Sequence, residues 1–75
     1  MSVKVYSTPT CPFCTMAKSY LKENDISYVD VDVSKDREQA MDMIRKSGQR
    51  GVPVIDYNGE IIVGFDKKKL SELIG

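Results

Sequence analysis

Cys11-Pro12-Phe13-Cys14 contains both cysteines of the chain, two residues apart, where an apolar N-terminal stretch gives way to a helical pattern. Proline has a fixed φ and no N–H to lose, so Pro12 suits the first position of a helix, which makes Cys11 the N-cap and puts Cys14 one turn in. The two sulfurs then share one helix end, close enough to bridge reversibly. The unpaired N–H groups at that end carry about half a positive elementary charge and favour a thiolate on Cys11, the expected nucleophile. Cys14, one turn inside and covered by the chain, is expected to stay protonated and to act second, resolving a mixed disulfide. Thr10, Pro12 and Phe13 complete the active-site loop.

Two other uses of the pair compete with redox chemistry. Free cysteines behave as small hydrophobes and can simply fill a core. A structural zinc site needs four ligands, and a chain with two cysteines and no histidine would require a second copy or an external thiol to complete one. No metal is therefore expected. A cytosolic disulfide is more often transient and catalytic than a structural staple.

The 75 residues are expected to form one domain over 1–75, near the lower limit for unaided folding. Eleven basic residues against eleven acidic ones leave no net field to attract nucleic acid or a membrane surface. The first residues, Met1-Ser2-Val3-Lys4-Val5-Tyr6, lack the apolar core of a signal peptide, and no stretch approaches the roughly 20 apolar residues that span a bilayer. A cytoplasmic location is expected.

The elements that must hold the cysteines follow from periodicity. Val3 and Val5 alternate with Lys4 and Tyr6 in a first strand that stops at Ser7-Thr8-Pro9-Thr10. Phe13, Met16, Ala17, Tyr20 and Leu21 recur at helical spacing, giving a helix that ends near Glu23-Asn24-Asp25. From Ile26 to Val33 the period becomes two, with Val29, Val31 and Val33 on one side and Tyr28, Asp30 and Asp32 on the other. Those aspartates read as the solvated face or edge of a strand rather than a metal cage. Ser34 or Asp36 can cap a second helix in which Ala40, Met43 and Ile44 share a face, the methionines serving as core filler, and Gly48 stops it. A strand over Val52–Tyr57 begins at a proline, Asn58-Gly59 makes a two-residue hairpin turn, and Glu60–Val63 returns antiparallel. Asp66 can cap a last helix with Leu70, Leu73 and Ile74 facing inward, and Lys67-Lys68-Lys69 reads as a solvated face. The predicted architecture is α/β, in the order β-α-β-α-β-β-α, with a mixed four-stranded sheet and helices on both faces.

This order, with Cys11-Pro12-Phe13-Cys14 after the first strand and Val52-Pro53 before the third, resembles the thioredoxin superfamily in its minimal form. Within it, the proline and aromatic residue between the cysteines are similar to the dithiol glutaredoxin pattern, and Gly51-Val52-Pro53 is similar to that family's Thr-Val-Pro segment. The resemblance implies a cis Pro53 whose neighbouring backbone, at Val52, pairs with the incoming partner beside Cys11. It places a second partner-binding segment at Gly64, Phe65 and Asp66. Glutaredoxins usually carry a lysine at the position of Thr8 and an aspartate at the position of Lys67, both used to hold glutathione. Val63-Gly64-Phe65, in contrast, is similar to the Ser-Gly-Phe segment of NrdH-type redoxins, which a thioredoxin reductase reduces.

The resemblance thus implies a small dithiol redoxin that passes electrons from a flavoprotein disulfide reductase to protein disulfides such as that of ribonucleotide reductase. It binds no cofactor of its own, its electrons coming from NADPH or another donor through the reductase, and it acts as a monomer. The alternatives are a glutathione-dependent glutaredoxin and an iron-sulfur carrier bridging two copies through Cys11. Phe13 and Phe65 would offer apolar contact to a docked partner, Phe65 reading equally well as core. With no histidine available, Lys18, four residues after Cys14, is a conceivable aid to thiol deprotonation but reads equally well as solvent-facing.

Overall fold

A computed structural model of the chain describes residues 2–75. Seven elements follow one another: β1 (Val3–Ser7), α1 (Pro12–Glu23), β2 (Val29–Asp32), α2 (Arg37–Ser47), β3 (Val54–Tyr57), β4 (Glu60–Val63) and α3 (Lys67–Ile74). This is the expected order. The sheet runs β2-β1-β3-β4, with β1 parallel to β2 and the β1–β3 and β3–β4 pairs antiparallel. The parallel pair needs a crossover, which α1 supplies; the hairpin needs two residues in the left-handed region, which Asn58 (φ 51°) and Gly59 (φ 98°) supply.

Alternate residues of the central strands feed two cores. On one face Val3, Val5, Ile55, Tyr57 and Ile62 pack with Ala17 and Leu21 of α1 and Leu70 of α3. On the other, Tyr6 and Val54 pack with Met43 of α2, and Val31, Val33 and Ile44 close the margin. The helix ends are capped as their residue types dictate: Asp36 accepts from Gln39 N–H, Asp66 from Lys69 N–H, and Gly48 closes α2 at φ 74°. Ser34 is not the cap of α2. Its hydroxyl and its N–H both donate to the Asp32 carboxylate, which they hold below the usual carboxylate range.

Several expectations on orientation and limits are corrected. The buried stripe of α1 is Cys14, Ala17 and Leu21, whereas Phe13 and Met16 are 60% and 48% exposed. Met43 is buried but Met41 is 49% exposed, so α2 inserts one methionine, not two. β2 begins only at Val29, the residue that pairs with Lys4, and Val29 is 61% exposed. β3 begins after Pro53, which has no N–H to give to the ladder. Among the described residues no helix is long and apolar enough to cross a membrane.

A polar node fastens α2 to the sheet. The Tyr6 hydroxyl donates to Asp42 Oδ2 at 2.6 Å, while the Lys46 ammonium donates to the Tyr6 hydroxyl at 3.0 Å and to Asp56 Oδ2 at 2.9 Å. Burial, then the bond to Asp42, raises the Tyr6 phenol above its ordinary pKa. The bonds to Tyr6 and then Asp56 raise Lys46, and the Tyr6 bond holds Asp42 down. This node joins β1, α2 and β3, and so fixes the α2–β3 loop that faces the cysteines.

Candidate redox site

Cys11 is the N-cap of α1, with an extended backbone (φ −102°, ψ 108°), and Pro12 begins the helix. Its N–H donates to Thr8 O at 3.4 Å, closing the loop between β1 and α1. The half-buried Cys11 sulfur accepts a hydrogen bond from Cys14 N–H at 3.2 Å, one of the donors that a helix N-terminus leaves unpaired. Such a bond strengthens as the acceptor gains negative charge. Across the loop, Cys11 Sγ lies 3.9 Å from Val52 O, to which the thiol donates.

Cys14 has no exposed surface. Burial, followed by its hydrogen bond to Cys11, pushes its thiol up to about 11. The two cysteines are free thiols. The pair is thus asymmetric, with Cys11 half-buried beside a backbone edge and Cys14 fully buried and protonated behind it.

Lys18 is not simply solvent-facing. One turn past Cys14 on α1, its ammonium donates to Asp30 Oδ2 at 3.1 Å and to Ser7 Oγ at 3.5 Å, and the buried Ser7 hydroxyl donates to Asp30 Oδ1 at 2.7 Å. A helical side chain leans toward the N-terminus of its helix, which brings this cation toward Cys14. A backbone hydrogen bond at Thr8 and, after it, the Lys18 charge work against the upward shift of the Cys14 thiol. The aspartate and serine come from β2 and β1, a pairing that local sequence pattern does not reveal.

The remaining predicted positions fall into two groups. Thr10, Pro12 and Phe13 lie exposed on the loop and first turn around Cys11, and the cis Val52-Pro53 peptide stands opposite. Gly64 is joined to this second segment, its N–H donating to Pro53 O at 2.8 Å. Phe65 is half-buried against the α1–α3 core, edge-on to Tyr20 with ring centroids 6.0 Å apart. Asp66 is the α3 cap. Lys67 follows it, with its ammonium 5.7 Å from the centre of the Tyr20 ring, a cation–π contact. Among the described residues no three His, Cys, Asp or Glu side chains converge as metal ligands.

Residues 3–62 match the family model described as Glutaredoxin. The chain belongs to the glutaredoxin family. It is 50% identical over 72 residues to a glutaredoxin-like 8.6 kDa protein in the rubredoxin operon of Clostridium pasteurianum, covering 96% of each chain. It is 31% identical over 65 residues to glutaredoxin 3 of Escherichia coli, covering 87% of this chain and 78% of that one. Among solved structures, the thioredoxin-like protein BC3987 superposes with a TM-score of 0.90 at 32% identity, covering 96% of this chain and 99% of its own. The NrdH-redoxin of Escherichia coli superposes with a TM-score of 0.87 over 97% of this chain and 95% of its own, at 22% identity, which shows a shared fold. The thioredoxin-like α/β fold and the glutaredoxin resemblance expected from the cysteine pair and Val52-Pro53 both hold.

Proposed function

We propose that this chain is a dithiol redoxin that carries two electrons from a flavoprotein disulfide reductase to protein disulfides in the cytoplasm. The observation that supports it is the asymmetry of the cysteine pair: a half-buried Cys11 at a helix N-cap, its sulfur 3.9 Å from Val52 O, with a fully buried Cys14 behind it. As a thiolate, Cys11 attacks one sulfur of a partner disulfide. A new S–S bond to the partner forms, the partner's own S–S bond breaks, and its second sulfur leaves and takes up a proton. Cys14 then loses its proton and attacks Cys11 Sγ, releasing the first partner sulfur and leaving a Cys11–Cys14 disulfide. The partner has gained two electrons, and the reductase returns two to the chain, with NADPH or another donor behind it.

Resolution relies on local charge, since the chain has no histidine. Once Cys11 sits in a mixed disulfide, its hydrogen bond no longer favours the Cys14 thiol. Burial then remains as the main force against ionisation, opposed by a backbone hydrogen bond at Thr8 and, after it, by the Lys18 ammonium. Pro53 and the Val52 backbone form the docking edge, with Gly64, Phe65 and Asp66 beside them. The exposed Phe13 ring gives the partner an apolar contact.

A protein reductant is preferred over glutathione on two residues. Thr8 stands where the family places a carboxylate-binding lysine. Lys67 stands where it places an acidic partner for an ammonium, and its own ammonium occupies the Tyr20 face. The same chain assayed with NADPH plus thioredoxin reductase, and in parallel with glutathione plus its reductase, tests this choice. Rapid disulfide reduction in the first system with slow reduction in the second is the expected result. Equal rates would transfer the function to the glutathione branch, and stoichiometric iron in an anaerobic preparation would favour a cluster carrier. The acceptor proposed is a cytosolic protein disulfide such as that of ribonucleotide reductase, and the active form a monomer.

A further inference from the structure

The α2–β3 loop contains a side chain that behaves like a strand. Gln49 Nε2 donates to Gly51 O at 3.0 Å, and Gly51 N–H donates back to Gln49 Oε1. One primary amide therefore satisfies both backbone groups of a single residue, as a neighbouring strand does in a hydrogen-bonded antiparallel pair. The backbone of Gln49 is itself held by Ser47, whose Oγ lies 2.8 Å from Met43 O and 2.9 Å from Gln49 O and accepts from Gln49 N–H. The next residue after Gly51 is Val52, whose carbonyl accepts from the Cys11 thiol. Among the described residues no acceptor is found for Val52 N–H. The clamp thus secures the Gly51 backbone while the Val52 edge stays open toward Cys11.

We propose that Gln49 is a positioning residue for partner docking: its amide, clamped on Gly51, fixes the Val52 backbone edge beside Cys11 for pairing with an extended peptide disulfide. Gly51 is the residue type the clamp requires. A Cβ built there would meet Gln49 Oε1 at 2.7 Å, so any side chain at 51 displaces the amide. The atom it displaces is the end of a flexible side chain, so the substitution opens the clamp without disturbing backbone. Gln49 and Gly51 form a matched pair, and neither acts on the thiols directly.

The inference rests on the redoxin reading, and one experiment separates the two. Reduced wild type, Gln49→Ala, Gly51→Ala, the double variant and Gln49→Glu are mixed with a disulfide-linked peptide dimer and, separately, with 2-hydroxyethyl disulfide, which has no backbone to pair. Thermal unfolding is recorded for each. Loss of a partly exposed pair of hydrogen bonds predicts a fall of about 3- to 10-fold in the second-order rate with the peptide for either single variant. The small disulfide should react unchanged. The double variant should be no slower than the singles, because both open one clamp. Gln49→Glu puts an acceptor oxygen opposite Gly51 O in place of the donor, so the clamp opens and its rate should fall with that of Gln49→Ala. Unchanged peptide rates in Gln49→Ala, equal losses on both disulfides, or single losses that multiply in the double variant would each overturn the proposal while leaving the redoxin reading intact. Wild type inert toward both disulfides would overturn the redoxin reading, and the proposal with it.

Discussion

Alkaline pH should destabilise the reduced protein through one buried thiol. Cys14 is fully covered, and burial together with its hydrogen bond to Cys11 moves its pKa from the ordinary 9.0 to about 11. In the unfolded chain the same thiol loses its proton first. The stability it contributes is therefore complete below pH 9.0 and drains away as the pH rises through about 11. At about 1.4 kcal/mol for each pH unit across that interval, the loss is bounded near 3 kcal/mol. That is a large share of the roughly 4 to 11 kcal/mol expected for a domain this small. Urea unfolding of wild type and Cys14→Ala under reductant, from pH 7 to 11, separates the thiol effect from Tyr6 and Lys46, which titrate in both proteins. The stability difference between the two should be flat to about pH 9 and then shift against wild type. Parallel pH profiles, or a steeper fall in Cys14→Ala, would refute the reasoning.

Other substitutions probe the scaffold and the site. Tyr6→Phe removes the hydroxyl between Asp42 and Lys46 and should cost about 1.5 to 3 kcal/mol in urea unfolding at neutral pH, as expected for a bond to charged partners. Leu21→Ala opens a void in the α1 face of the core and should cost about 3 kcal/mol in the same measurement. Lys18→Met removes the cation one turn from Cys14; quenched-flow kinetics should show closure of the mixed disulfide slowed about three- to tenfold near neutral pH, with the first attack unchanged. Lys67→Asp restores the acidic residue usual in the family and should raise the glutathione-driven rate relative to the reductase-driven one in the paired assay.

Most of the fold is written in short-range signals. Pro12 after Cys11, Asp36 three residues before Gln39, Asn58-Gly59 between two apolar runs and Asp66 before the last helix each act over one turn, and each can be read directly. The valine alternation of β2 was legible too, but its extent was not, because pairing with β1 rather than periodicity decides where a strand starts. The exposed faces of Phe13, Met16 and Met41 escaped for a related reason: helical spacing marks an apolar stripe, while the sheet beneath decides which part of it is covered. The polar connections were beyond local reading altogether. Tyr6 meets Asp42 from 36 residues away and Lys18 meets Asp30 across two elements, so no periodicity or motif joins them. Of the site, the cysteines and Val52-Pro53 stand out by residue type, whereas the Gln49 clamp becomes visible only when its amide is seen on Gly51.

The proposed redox chemistry requires Cys11 to attack first and Cys14 to resolve. Reduced Cys14→Ser protein mixed with an excess of a disulfide-containing protein, then subjected to intact-mass and peptide analysis, tests this directly. The prediction is a single reductant-sensitive adduct on Cys11, and no adduct when Cys11→Ser is treated in the same way; an adduct on Cys14 in Cys11→Ser, or none on Cys11 in Cys14→Ser, would contradict it.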